Sequence, residues 1–350
     1  MTEFELIYDI FAKQSATASI NQMAKVDKGI GDDASVISPA NGVKLVSCVD
    51  TMVQGRHFSD DWQTIEQLGF AIGYKSVVVN LSDLAAMGAT PHHILLALAL
   101  PKRLATQTWL TEFAKGLFHA CQQYGVQLIG GDTTQHDKLV ISITAQGFLP
   151  PSSSSKSISP IYRDGAKVGD KVYVSGTLGD ANYALNHPDT TIGQQLAHRL
   201  HMPTPRVALG QVLAQQGKAT AMIDISDGLV QDLGHICQQS GVSMHVNLES
   251  LPCSQPLASL EEIPLDKRLL CQLTGGDDYE LAFTLPADVD ISSIANLAQI
   301  NNTPITCIGK VVATTDSYHQ PILFYNNQPV TANNPYPFSQ LPNLHGFQHF

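Results

Sequence analysis

Acids flanked by glycine or small residues recur at five places, and they are the groups in this chain best suited to chemistry: GIGDDAS (29–35), VDTMVQGRHF (49–58), NLSDLAAMGA (80–89), IGGDTT (129–134) and IDISDGL (223–229). Carboxylates of this kind suit magnesium, which takes oxygen ligands in near-octahedral geometry and shares them with substrate phosphates and water. Five carboxylates meeting without cations would repel one another strongly, so convergence nearly requires metal. A local reading stands beside this one. Ser-Asp in both NLSDLAAMG and DISDGLVQDLG looks like a helix start, where an acid satisfies free N–H groups and meets the positive end of the helix dipole. If Asp83 and Asp227 only cap helices, nothing need bring the segments together; if they bind magnesium, all must meet in one cleft.

The elements that would position these acids follow from periodicity. Residues 3–12 repeat apolar side chains at helical spacing, and the polar stretch 13–28 reads as a mobile connector. VKLVSCVDTMV is a strand with Asp50 at the end of its apolar run. Neighbouring strand residues face opposite ways, so one acid of GDDA can look into a given site, and Asp33 is the expected ligand ahead of Asp32. Residues 62–79 form a helix leading toward Asp83, and ILLALAL (94–100) is a buried central strand. Residues 106–124 form a helix capped by Gly125. VQLIGGDTT delivers a strand into a turn at Gly130, Gly131 and Asp132.

LPPSSSSKSISP, between Leu149 and Pro160, is the richest Pro and Ser run, which places a domain boundary there and gives domains 1–150 and 151–350. Beyond it the spacing predicts strands at GDKVYVS, ATAMIDI, GVSMHVNL, the end of LLCQLTGGDDYELAFTL, and PITCIGKVV. Two helical stretches over 192–216 are broken by MPTPR. Helices interleave with strands, yet adjacent strand pairs also occur, so the class is α+β.

Composition bounds the rest. A chain of 350 residues with 43% hydrophobic and 15% charged residues is long enough for two cores. The net charge of −11 disfavours nucleic-acid backbones, which are held mainly by Lys and Arg, but not a nucleotide carried on metal. No run of 18 apolar residues occurs and MTEFELIYDIFAK is acidic, so no membrane association and a cytoplasmic location are expected. The six cysteines are scattered with no CxxC pair and read as free thiols. A P-loop is absent, since no GxxxxGK[ST] occurs.

In this order and spacing, GIGDDA, the DT pair at Asp50, GRHF, NLSDLAAMGA, IGGDTT, DISDGL and GGDDYEL resemble the thiamine-monophosphate kinases. These share an ATP-binding superfamily with aminoimidazole ribonucleotide synthetase, selenophosphate synthetase and a hydrogenase maturation protein. The resemblance covers nearly the whole chain. It implies transfer of the γ-phosphoryl group of ATP to thiamine monophosphate, the last step of thiamine diphosphate biosynthesis. It also implies an N-terminal sheet that forms a barrel across a homodimer, a C-terminal α/β domain, and ATP in the cleft between them. Carried over residue by residue, Asp33, Asp50, Asp83, Asp132, Asp224 and Asp227 would bind several Mg²⁺ ions. Gly131, Asp132, Arg163 and Ser226 would lie on ATP, and His57, Asp277 and Phe347 on thiamine monophosphate. Two departures stand out: Cys48 and Val49 replace the hydroxyl residues usual before Asp50, and Asp277 replaces the more usual Glu. The acceptor is already an ionised phosphate, so no dedicated nucleophile or base is implied, and in-line transfer rests on positioning and charge neutralisation.

Overall fold

A computed structural model of the chain describes residues 11, 24–28, 35–149, 158–259, 263–314, 319–339 and 346. It divides into two compact units, Met1–Leu84 with Ala89–Ile158, and Ala85–Gly88 with Ser159–Phe350. The helix expected over 3–12 and the segment carrying Asp33 lie outside the described residues, Phe11 apart.

In the first unit, β1 (Ala24–Lys28) and β2 (Val36–Pro39) form an antiparallel pair. The expectation of a mobile connector over 13–28 is therefore corrected at its end, where Ala24–Lys28 is a paired strand. A four-stranded sheet follows, ordered β3 (Lys44–Val53), β6 (Val140–Leu149), β4 (Thr90–Leu100) and β5 (Gln127–Gln135); only β4 and β5 run parallel. On β6, Ile141, Ile143 and Ala145 are buried and alternate with half-exposed Ser142 and Thr144, so this sheet has one covered and one open face.

Helices α1 (Trp62–Gln67), α2 (Gly69–Ala86) and α3 (Gln107–Tyr124) complete the unit. α3 ends on Gly125 in the left-handed region, as its sequence predicts, and begins one residue later than expected, with the Thr106 side chain as its N-cap. Cβ atoms at Gly73 and Gly116 would overlap the backbone of Phe113 and Phe70, so the two glycines let α2 and α3 lie backbone to backbone.

The second unit holds a seven-stranded sheet. Its strands are β7 (Lys171–Ser175), β8 (Ala221–Ile225), β9 (Ser243–Asn247), β10 (Glu280–Leu285), β11 (Ile305–Val312), β12 (Pro321–Tyr325) and β13 (Gln328–Pro329), in the order β13-β12-β9-β11-β7-β10-β8. Only β12 and β9 are parallel. The α/β domain expected here is thus corrected to a mixed, mainly antiparallel sheet, and the two-domain fold is α+β throughout. The helices are α4 (Asp180–Asn186), α5 (Thr191–His201), α6 (Val207–Gln216), α7 (Leu229–Ser240), α8 (Gln255–Ala258), α9 (Leu265–Thr274) and α10 (Ile291–Ile300). The break at MPTPR separates α5 from α6 as predicted. The core gathers Val172, Val174, Ile223, Ile225, Leu229, Leu233 and Ile236, where β7, β8 and α7 bury their apolar faces.

Candidate functional site

Asp83 sits elsewhere than its sequence suggests. Residues 69–86 form one continuous helix, so Asp83 lies in the last turn of α2 and not at a helix start. The chain then leaves through Gly88 at φ 70°, with the Ala89 N–H on the Leu84 carbonyl. The run GFAIGYKSVVVN carries no proline to stop it, and burial of Val77, Val78, Leu81 and Leu84 carries the helix on through NLSD. The electrostatic consequence reverses the capping argument. A helix C-terminus carries partial negative charge, an acid there is disfavoured by roughly 0.3–1 kcal/mol, and the last turn of α2 has no basic residue to offset it.

Asn80, fully buried one turn earlier, joins this helix to β3. Its Oδ1 accepts the Asp50 N–H at 3.0 Å, and its Nδ2 donates to the Ser76 carbonyl at 3.1 Å. β3 is an edge strand, and the Asn80 side chain serves as a partner there. The Cys48 thiol points at the Asn80 carbonyl, 3.4 Å away. Asp50 and the Asp83 turn are thus tied to one buried amide, although 33 positions separate them in the sequence.

Asp132 does not join them. β5 continues through Gly130, Gly131 and Asp132 to Gln135, so the expected turn at GGDT is instead strand. The register aligns Asp50, Ile143, Leu96 and Gly131 across the sheet, and Thr51, Ser142, Ala97 and Asp132 in the next row. Side chains alternate along strands, so Asp132 shares the open face with Thr51 and Ser142, and Asp50 shares the face of buried Ile143 and Leu96. Gly131 has a structural reason of its own: a Cβ would overlap the Leu96 carbonyl oxygen.

His57 closes the turn after β3. Its Nδ1 accepts the Val53 N–H at 3.1 Å, and its own N–H returns to the Val53 carbonyl at 3.0 Å. An accepting Nδ1 makes Nε2–H the donor of the neutral ring, suited to a phosphate oxygen.

In the second unit the acidic motifs come together. Asp224 is buried on β8 opposite Leu281 of β10, and Ser226 and Asp227 follow in the turn before α7. Gly275, Gly276, Asp277 and Asp278 link α9 to β10. Here the Asp277 N–H bonds the Ser226 carbonyl at 2.9 Å and the Tyr279 N–H bonds Ile225 at 2.8 Å. Asp277 and Tyr279 have φ of 67° and 50°, and the Tyr279 hydroxyl donates to Asp277 Oδ1 at 3.0 Å. The backbone of Arg163 is placed by the Ser240 hydroxyl, which donates to its carbonyl at 2.8 Å, while neighbouring Tyr162 accepts from Met222 of β8. Phe347 lies outside the described residues, but Gly346 is placed so that a Cβ would overlap the Asp227 carbonyl oxygen.

Two groups were missed at the sequence level. Neither Ser226 nor Asp227 caps α7, whose N-cap is Gly228 with no side-chain cap bond; the turn before it is closed by Asp232, whose Oδ2 accepts from the N–H groups of Ser226, Asp227 and Gly228 at 3.1, 3.2 and 3.1 Å. Burial first, then the charges of Asp224 and Asp227, hold the Asp232 carboxyl well above the usual carboxylate range. An acid in the first turn of a helix was the available signal. The second is Glu280, fully buried behind the loop, where it takes both prongs of Arg206 at 2.6 and 2.5 Å, Arg199 at 2.8 Å and Ser175 at 2.6 Å.

Among the described residues, no three His, Cys, Asp or Glu side chains form a group that could hold a metal ion unaided. Within the second unit the donor chemistry nevertheless fits a hard cation shared with a phosphate, since Asp224 and Asp227 press on the same buried acid.

Two domain models match, the N-terminal domain of AIR synthase related protein over residues 31–149 and its C-terminal domain over 167–320. The chain therefore belongs to the AIR synthase-related class. The solved hydrogenase maturation protein HypE in complex with ATP shares this fold at 17% identity and TM-score 0.69, covering 98% of this chain and 96% of that one. Within the class the chain is a member of the thiamine-monophosphate kinase family. It is 38% identical to the thiamine-monophosphate kinase of Haemophilus influenzae, over 100% of this chain and 98% of that protein. The crystal structure of thiamine-monophosphate kinase from Stenotrophomonas maltophilia matches with TM-score 0.77 and 38% identity, covering 94% of this chain and 98% of that one. A solved structure described as AaThiL complexed with AMPPCP and TMP matches with TM-score 0.70 and 28% identity, over 99% and 97% of the two chains.

Proposed function

We propose that the protein transfers the γ-phosphoryl group of ATP directly to the phosphate of thiamine monophosphate, yielding thiamine diphosphate and ADP. Family membership supports the reaction, and the pairing of the Ser226 and Asp277 segments by the 2.9 Å hydrogen bond carries the local argument. The residue assigned to ATP and the residue assigned to the acceptor stand on one pair of bonded loops, as a transfer between two bound phosphates needs.

The chain's own groups position and neutralise. Asp33, Asp50, Asp83, Asp224 and Asp227 would hold magnesium, with Asp132 supplying a carboxylate from the open face of its sheet. Bound magnesium would supply charge neutralisation between the two polyanions. Ser226 would donate to ATP, Arg163 would add a fixed positive charge on its phosphates, and the His57 Nε2–H would donate to the acceptor phosphate, with Asp277 and Phe347 holding thiamine. Because the acceptor oxygen is already ionised, no side chain needs to remove a proton from it. The open face of the first unit's sheet, where Leu45 and Val49 are 52% and 62% exposed, is the surface on which a second copy would close the barrel of a homodimer.

Phosphorus NMR of the enzyme with Mg·ATP and thiamine monophosphate should show the diphosphate appear as ADP forms. ADP released without that product would overturn the reading, as would tight Mg·ATP binding with no turnover. Asp83→Asn should abolish turnover with the fold intact, and a fully active variant would defeat its metal role. A phosphorylated enzyme able to pass its phosphate to thiamine monophosphate would refute direct transfer.

A further inference from the structure

The N-terminus of α7 is built in the manner of a phosphate site. The N–H groups of Ser226, Asp227 and Gly228 converge on one point, and such a concave run of backbone donors ahead of a helix ordinarily takes an anion. Here the anion is internal: the Asp232 carboxylate fills it from four to six residues downstream.

We propose that Asp232 is a positioning residue for phosphoryl transfer, fixing through three backbone N–H groups the turn that presents Ser226 and Asp227, and keeping that turn closed to phosphate. The proposal rests on the kinase reading for the roles of those two residues. Asp232 is 3% exposed, so it acts through the backbone and not on the substrate.

The turn leaves few alternatives. Gly228 has φ 124°, a conformation that side-chain-bearing residues rarely adopt, and a Cβ there would press on the Thr274 backbone. A Cβ at Gly276 would overlap the Ser226 carbonyl, and that same carbonyl accepts the Asp277 N–H. Gln231 donates to Asp227 Oδ2 at 3.1 Å, so Asp227 is steadied from the first turn of α7 as well. Release of the three N–H groups would therefore disturb Ser226, Asp227 and, through one hydrogen bond, Asp277.

The test compares Asp232→Ala and Asp232→Asn in the full chain, by steady-state kinetics and by calorimetric affinity for AMPPCP with magnesium. Alanine should lower kcat/KM for Mg·ATP and the AMPPCP affinity by about 10–100-fold, the usual effect of losing a group that orients ligands. Asparagine keeps an acceptor oxygen in place without the charge and should restore most of both. If asparagine is as impaired as alanine, the carboxylate acts by its charge and the positioning role is overturned. If alanine lowers only the melting temperature and leaves both constants unchanged per folded molecule, the residue is structural and the proposal fails. Should alanine not fold, Asp232→Asn with near wild-type constants supports the proposal and an impaired Asn variant refutes it. A wild type that forms no thiamine diphosphate defeats the kinase reading alone, because the AMPPCP affinities still order the variants.

Discussion

Glu280→Gln removes one negative charge from a place that water does not reach. Glu280 has no exposed side-chain surface, and Arg199 and Arg206 are only 13% and 15% exposed. The carboxylate accepts two bonds from Arg206, one from Arg199 and one from Ser175. Glutamine keeps one acceptor oxygen and turns an NH₂ toward groups that are themselves donors. Breaking a buried ion pair by removing one partner costs about 3–5 kcal/mol. Asp278 lies within reach of the same arginine, and losing the Glu280 charge lets it ionise more readily, so the expected loss is at the lower end, about 3 kcal/mol. Denaturant unfolding followed by two probes measures it, since a chain of two units need not unfold in one step. A loss below about 1 kcal/mol, the value of an exposed pair, would refute the claim that this cluster is desolvated and braces the loop ahead of β10.

Two further outcomes follow from other buried groups, Asp278 beside Glu280 and Asn80 in the first unit. Burial, aided by the charges of Glu280 and Asp180, pushes the Asp278 carboxyl well above the usual range. Its protonated form therefore contributes stability that is complete below the unfolded value of 3.8 and lost as pH rises through the folded value. Asp278→Asn should thus gain on the wild type in urea midpoint as pH rises above 3.8; a difference that does not change with pH would refute this. Asn80→Ala removes two buried hydrogen bonds worth about 1 kcal/mol each. It should lower both the stability of the first unit and magnesium-dependent turnover, as the edge strand loosens at Asp50; unchanged turnover per folded molecule would show that Asn80 does not position Asp50.

The sequence by itself determined the family, the α+β class, the motif acids, the C-cap of α3 and the break at MPTPR, because those depend on residues near in sequence or on motif order along the whole chain. It misread what depends on partners far away. Asp83 looked like the head of a helix because Asn-Leu-Ser-Asp is good capping chemistry, and nothing local shows that the helix read over 62–79 runs on through it, packed on α3. GGDT looked like a turn because glycine permits one, yet Gly131 admits the β4 backbone in a parallel pairing. DISDGL looked self-capped, but the turn is tied by Asp232 inside the helix. Ser-Asp chemistry is the same in each setting; only the tertiary structure decided which N–H groups were left to satisfy, and so which acid closes each turn.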